Sequence, residues 1–408
     1  MLKRNDLLST DIYTIHIINN LDELLKIDNE YNSLISKENG PSHFLSFDWL
    51  YLYLKYVSQK NDETAIYLFY KNKELAAVAP LARKRRNHSQ NLRFILENTQ
   101  ADYLDFIYNN MNQSELEYFI SKIMNGYSFS ALRLKKIPEN SLTAASLASL
   151  KTLKIIEVSK EKCIHIKFCK SMDEYFQNLG KSTRKEIKAT ENRIRKNFKS
   201  VEITFLYHQD ISDNLLDNLM AMYKERRIVK FGSEKRSQEY FEFLKEYILN
   251  NKESFISILR LDSKDVAFNI GFFAMNNSLE ILITSFDSEY RKYDVGNFLL
   301  YKSIVSFLES GLAKTRGLIY YDLGQGDELY KIKYGGEMHH IKEYLIFNSV
   351  IYYSIKKAEL RGKAIGRIVW KKILNIFEKE YLKKYFKNFK EKLNFNIQKR
   401  VRTFSERG

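Results

Sequence analysis

The segment from Ile281 to Gly336 constrains the fold more than any other part of the chain. It reads ILITSFDSEYRKYDVGNFLLYKSIVSFLESGLAKTRGLIYYDLGQGDELYKIKYGG. An apolar strand, Leu279 to Phe286, runs into a charged turn over Asp287 to Asp294. Gly296 and Asn297 then open an amphipathic helix that carries Phe298, Leu299, Leu300, Ile304, Val305, Phe307 and Leu308 at helical spacing. A second strand, Leu318 to Leu323, delivers Asp322 to a Gly-x-Gly turn. A strand feeding a glycine turn at a helix N-terminus points free amides and the positive end of the helix dipole at one spot. That spot suits a phosphate.

Within the turn, Arg291 is followed by Asp294 at +3, Gly296 at +5 and Leu299 at +8. This spacing resembles the acyl-CoA loop of GCN5-related N-acetyltransferases (the GNAT superfamily), Arg/Gln-x-x-Gly-x-Gly/Ala-x-x-Leu. Asp294 stands where the first glycine is usual. Aspartate visits the left-handed backbone region more readily than most residues, so the turn is retained. Four other segments fit the same superfamily: SHFLSFDWL around Trp49, AAVAPLARKRR, LGKSTRKEIKATENRIRK, and YDLGQGDELYK from Tyr321 to Lys331. Together they resemble the CelD-like (BcsL-type) acetyltransferase family, over Ser42 to Phe347. The resemblance implies acyl-CoA as co-substrate, acetyl-CoA foremost, and an acceptor among sugar, polysaccharide or cell-envelope precursors.

At 408 residues the chain is longer than one typical domain. Hydrophobic residues make up 44%, with 28 Tyr and 27 Phe, so a large core is available. Only 3 Pro and 15 Gly speak against long flexible linkers. No apolar run approaches the ~20 residues that span a bilayer. The first residues, MLKRNDLLSTDIYTIHI, lack the apolar core and cleavage site of a signal peptide. Cys163 and Cys169 fall on one strand about 20 Å apart at ~3.3 Å per residue, too far to pair. A reducing cytoplasm fits. The net charge of +16 is uneven: Tyr352 to Gly408 holds 17 basic and 5 acidic residues, net +12. Nucleic acid is therefore an unlikely partner for the near-neutral body.

Two halves show the same order of elements. In the first, helices over Leu21–Ile35 and Leu45–Val57 precede a hairpin, Thr64–Tyr70 and Leu75–Leu81, turning at Lys71-Asn72-Lys73. Strands at Leu92–Leu96 and Ala131–Ile137 flank a helix from Gln113 to Met124, and strands near Ile155 and Ile164 follow. The second half runs through a basic helix (Thr183–Phe198), a strand (Val201–Leu206) and helices at Leu215–Arg227 and Gln238–Leu249. A three-strand meander follows over Phe255–Leu261, Val266–Ala274 and Leu279–Phe286, and the last strand is Glu343–Phe347. This predicts an α+β fold of tandem GNAT-like domains, with mixed central sheets flanked by helices and a basic helical tail. The expected boundaries are 1–165 for a degenerate acceptor-side domain, 166–350 for the acyl-CoA domain and 351–408 for the tail. The first half has ENTQADYLDF at the corresponding place, without a glycine to admit a pyrophosphate, so only the second half is expected to bind CoA.

Several residues carry candidate chemistry, each with a plainer alternative. The amides of Val295, Gly296 and Asn297 suit the CoA pyrophosphate, with Arg291 and Lys292 adding charge-assisted contacts; an ordinary capped turn is the alternative. The resemblance implies a backbone oxyanion donor at the strand end near Ser285 and Phe286. Asp322 is placed to act as a base, to orient one, or to cap the Gly324 turn. Tyr330 suits protonation of the departing thiolate, or packing. Lys331 suits the acceptor's charge or the leaving group, or solvent. Asp287 and Glu289 are weaker candidates for the base. Arg184 and Lys185 on the basic helix suit an anionic acceptor, or a solvated face. Trp49, with Phe44, Phe47 and Tyr51, suits the acceptor pocket or the core. The seven histidines offer no ligand spacing for a metal.

In the tail, Ile373, Phe377, Tyr381, Tyr385, Phe389 and Leu393 recur at every fourth position among lysines. That pattern suits packing on the domain, or peripheral contact with an anionic membrane at its inner face. The reading is a cytoplasmic acyl-CoA-dependent N- or O-acyltransferase. Two alternatives stand beside it: a Fem-like aminoacyl-tRNA-dependent transferase of peptidoglycan precursors, and a non-catalytic adaptor at the membrane surface.

Overall fold

The computed structural model describes residues 12–35, 42–57, 62–84, 91–126, 130–234 and 236–362. Short-range chemistry accounts for most element ends. Asn72 and Lys73 close the hairpin between Asp62–Lys71 and Glu74–Lys84, and Asp262 and Ser263 close that between Ser254–Leu261 and Lys264–Ala274, each pair with positive φ at both positions. Two-residue turns of that hand match the twist of the strands they join. Ser46, Ser212 and Ser237 cap the helices Phe47–Tyr56, Asp213–Phe231 and Gln238–Asn250 by accepting from the third amide on. Gly232, at φ 76°, ends the helix Asp213–Phe231.

Thirteen strands form one mixed sheet. In the first half they are β1 (Tyr13–Ile18), β2 (Asp62–Lys71), β3 (Glu74–Lys84), β4 (Asn91–Phe94), β5 (Ile107–Tyr108), β6 (Ala131–Pro138) and β7 (Lys154–Lys167). In the second they are β8 (Val201–Tyr207), β9 (Ser254–Leu261), β10 (Lys264–Ala274), β11 (Ser278–Phe286), β12 (Tyr320–Gln325) and β13 (Gly336–Phe347). The order is β1-β2-β3-β4-β6-β13-β7-β12-β11-β10-β9-β8, with β5 paired to β3 off that path. Read from either end, this order gives the same sequence of pairings. Three antiparallel pairs are followed by one parallel pair (β4–β6, β11–β12) and one antiparallel pair (β6–β13, β12–β7). The tandem arrangement is therefore visible in the hydrogen-bond ladder, and each half completes its sheet with the last strand of the other. At the centre, β7 and β13 pair antiparallel from Gly336↔Ile166 to Phe347↔Lys154.

Two expectations need correction here. The strands expected near Ile155 and Ile164 are one continuous strand, β7. The last strand begins at Gly336, seven residues before the expected Glu343, because Gly336 to Lys342 pair continuously with Ile166 to Lys160 of β7. Residues through Asn348 form one compact unit, and those from Ser349 a second. The described part of the second is the helix Val350–Gly362. The expected aromatic stripe of the tail lies outside the described residues. No helix among the described residues is long and apolar enough to cross a membrane.

Since each half lends the other a strand, the halves are expected to unfold together. Ile66→Ala on β2 and Leu259→Ala on β9 each empty a fully buried site, costing about 2–5 kcal/mol. Both substitutions should shift the same single calorimetric transition. Two transitions, each moved by only one substitution, would show independent halves.

Candidate active site

Strand β11 departs from regular pairing at one point. Against β10 its register passes from Ile270↔Ile283 to Gly271↔Ile281, so Leu282 is an extra residue. A one-residue bulge transfers every later side chain to the other face. Thr284 thereby joins Ile281 in lining one cleft. On its other edge β11 runs parallel to β12 for three positions only, Ser278–Glu280 against Tyr320–Asp322. Beyond Glu280 the two strands diverge, and that edge of β11 has no strand partner. The strand is pinned just before the bulge. Buried Glu280 accepts hydrogen bonds from Ser42 Oγ (2.7 Å) and the His43 amide (3.1 Å), and His43 Nδ1 contacts the same oxygen. The SHFLSFDWL segment of the first half thus anchors a strand of the second.

The turn expected to hold CoA lies where β11 gives way to the helix Val295–Glu309. Asp294 takes φ 56° and ψ 37°, the left-handed conformation expected of it. Its carboxylate does not cap the helix; Oδ1 accepts from Asn297 Nδ2 at 2.9 Å. The helix's own bonding starts with Phe298 N donating to Asp294 O. The amides of Val295, Gly296 and Asn297 therefore belong to the unpaired first turn. Gly296 packs against Phe286, where an added Cβ would sit 3.1 Å from the ring. The same ring carries the guanidinium of Arg226, with Cζ 3.3 Å from the centroid. Burial, together with the nearby charge of Arg291, lowers the Arg226 pKa from its ordinary value. Arg291 and Lys292 are exposed on the turn Ser288–Tyr293. Among the described residues neither Arg226 nor Arg291 forms an ion pair, so both charges remain available to an anion. Ser285 is fully buried and its Oγ has no partner; any part it plays falls to its backbone.

Inward from this end, a cleft of about 340 Å³ opens between β11 and β12. Its walls include Ile281, Thr284, Leu323 and Tyr330 from the second half, with Asp102 and Lys136 from the first. Asp102 presses against Gly324, whose φ of +65° and close approach leave no room for a Cβ. Burial pushes the Asp102 carboxyl up to about 7, with Asp322 adding to the rise and Lys136 and Lys331 opposing it. Burial likewise depresses the Lys136 ammonium, although Asp102 favours its charge. Lys136 sits at φ 63° and donates to the Ala101 carbonyl. Tyr330 is half-buried, and burial, then Glu328, pushes its hydroxyl up to about 12.

Other expected site residues lie elsewhere. Asp322 faces away from this cleft, because alternate residues of a strand point to opposite faces and Leu323 takes the cleft side. Its Oδ1 accepts from Tyr103 Oη (2.9 Å) and the Gly324 amide (2.7 Å), and its Oδ2 lies 3.2 Å from His165 Nε2. It therefore caps the turn and orients a histidine. Burial opposes charge on His165, yet the bond to Asp322 and its charge prevail and raise the pKa. Lys331 is buried and clamps the glycine turn, donating to the Gln325 carbonyl at 2.8 Å and pairing with Glu328 at 3.1 Å. Trp49 is fully buried between His43, Phe243 and Tyr247, within the core. Arg184 bonds Gln177 at 2.7 Å and Lys185 faces solvent. Their helix, Lys181–Asn197, packs on the helix Val295–Glu309.

Residues 181–332 match the family profile of the acetyltransferase (GNAT) domain. A GNAT acetyltransferase domain is present. It spans the basic helix, the bulged strand, the helix N-terminus and the glycine turn, and it is the domain of an acyltransferase. Among solved structures, FemX is similar at 12% identity and TM-score 0.56, over 80% of this chain and 97% of that one. The C-terminal domain of a putative lysylphosphatidylglycerol synthetase from Agrobacterium fabrum is similar at 10% identity and TM-score 0.51, over 83% and 96%. These likenesses concern the fold. No curated protein matches the chain in sequence.

The contact between Gly296 and Phe286 makes the donor end testable. Gly296→Val would push the Phe286 ring and the Arg226 stacked on it away from the GNAT helix N-terminus. Acetyl-CoA affinity by isothermal titration should fall at least ~10-fold, about 1.4 kcal/mol. Unchanged affinity in a folded variant would move the donor site elsewhere.

Proposed function

We propose that the chain transfers an acyl group, acetyl in the simplest case, from acyl-CoA to an amine or hydroxyl of a polysaccharide or cell-envelope precursor in the cytoplasm. One observation carries the transfer itself: the divergence of β11 from β12 beside an unpaired helix N-terminus, with Asp102 of the other half facing the opening. In this reading the amides of Val295 to Asn297, with Arg226 and Arg291, hold the phosphates. The open edge of β11 supplies backbone donors to the developing oxyanion. Asp102 accepts the proton of the attacking group, and Tyr330, protonated at neutral pH, supplies one to the leaving thiolate. The second half is assigned the donor and the first half the acceptor side. The acceptor class rests on the family resemblance described above.

A second reading takes an aminoacyl ester as donor. The fold shared with FemX and with a protein named for lysylphosphatidylglycerol synthesis favours it. Isothermal titration with acetyl-CoA separates the two: saturable binding supports the first, and its absence supports the second.

The raised Asp102 pKa sets the pH dependence. A base works only when deprotonated, so kcat/KM should rise with pH through about 7 and then level. Asp102→Asn should remove that limb along with most activity. It should also raise Tm most at pH 8, less at pH 5, and leave it nearly unchanged only below the ordinary carboxylate range. In the wild type the unfavourable carboxylate exists in the folded chain only above its raised pKa, and the loss of stability builds from the ordinary carboxylate range up to it. A wild-type limb that survives the substitution would assign the base to another residue.

A further inference from the structure

A second cleft, of about 570 Å³, opens on the face of the sheet opposite the acyl cleft. Strand parity places it there: Tyr320 and Asp322 of β12 line it, whereas Leu323 and Gln325 line the acyl cleft. Its volume is in the ordinary range for a small-molecule site. Its lining is unusual for this protein. Among the described residues no Lys or Arg lines this cleft, while Lys136 and Arg236 line the other. A phosphate or carboxylate ligand calls for cationic or amide donors in number. This cleft instead offers the carboxyls of Asp105 and Asp322.

The remaining walls combine aliphatic residues, Leu34, Ile35, Leu45, Leu104, Ile107 and Pro138, with aromatic and polar ones. The His165 and His339 rings stack with centroids 4.2 Å apart, and Tyr320 lies 5.5 Å from the first and 6.0 Å from the second. Tyr103 bridges to the polar side, with its hydroxyl 2.8 Å from His165 Nε2 and bonded to Asp322. Exposed Asn140 stands at the rim. The Asp322 carboxylate already accepts from Tyr103 and the Gly324 amide and contacts His165, and Asp105 accepts from the Phe106 amide, yet each carboxylate keeps lone pairs for a ligand hydroxyl. A sugar ring meets both demands, since its C–H face lies on aromatic rings and its hydroxyls donate to carboxylates and accept from imidazole, phenol and amide. We infer that this cleft is a binding site for an uncharged sugar ring, recognised by the Tyr320–His165–His339 surface and by Asp322 and Asp105. It needs no acyl-CoA, and its occupancy is read independently of acyl transfer.

The test uses the full chain without acyl-CoA and saturation-transfer NMR with a panel of neutral hexoses and N-acetylhexosamines, glucose 6-phosphate and glycerol. At least one neutral sugar should bind saturably, about 10-fold or more tighter than the phosphorylated sugar, and glycerol should not bind. Tyr320→Ala should weaken that binding at least tenfold. Because it alters a strand, Asn140→Ala at the exposed rim serves as the second variant and should weaken it several-fold. Acetyl-CoA affinity should be unchanged in both. Absence of saturable binding across the neutral panel, preference for the phosphorylated sugar, or indifference to both substitutions in folded protein would each overturn the assignment.

Discussion

Antiparallel pairing between β7 and β13 joins two sheets that chain order alone would keep apart. Every ladder on either side inherits its position from that pair. Through β13 the end of β6 is carried toward the end of β12, and with it Lys136 and the segment holding Asp102. That placement explains why the cleft between β11 and β12 takes residues from both halves. It also explains why Gly324 has no alternative, since the carboxyl of Asp102 occupies the space where a side chain would begin.

The two faces of the sheet hold opposite electrostatic surroundings at short range. On one face Lys136, Arg236 and a perturbed carboxyl share an opening; on the other, carboxyls meet imidazoles, with no Lys or Arg among the described lining residues. One extra residue in β11 and one glycine turn in β12 are enough to arrange this. Both alter which side a strand presents, at little cost to its pairing. Asp322 shows the result: it keeps its place in the motif but points to the second face, where it holds His165.

What the sequence disclosed follows from how local each signal is. The strand, turn and helix around Asp294 are set by neighbours within a few residues, and Asp294 adopts the left-handed backbone expected of it. The meander turns at Asp262-Ser263 and the hairpin at Asn72-Lys73 were legible for the same reason. The mixed α+β fold with tandem halves also followed from the repeated element order. The site residues behaved differently. Asp102 lies in ENTQADYLDF, a segment notable in sequence only for its missing glycine, and nothing within it announces contact with Gly324. Arg226 belongs to a helix with no motif, and its role comes from stacking on Phe286. Trp49 and Lys331 stood inside motifs, yet their burial assigns them to the core and to a turn. For Asp102, Arg226 and Trp49 the deciding contact spans a long stretch of chain, whereas Lys331 is held by its near neighbours Gln325 and Glu328. An acid placed among apolar residues, as in ADYLDF, was the one available hint.

Strand exchange also has a consequence for how the chain is made. Synthesis proceeds from the N-terminus at about 5–20 residues per second, and β13 follows β6 by nearly half the chain. For on the order of ten seconds the nascent first half carries β6 with one edge open, its closing strand still inside the ribosome or not yet made. An open apolar edge pairs readily with other strands. The protein's most exposed moment is thus during translation, and a chaperone that shields β6 would act on that interval alone.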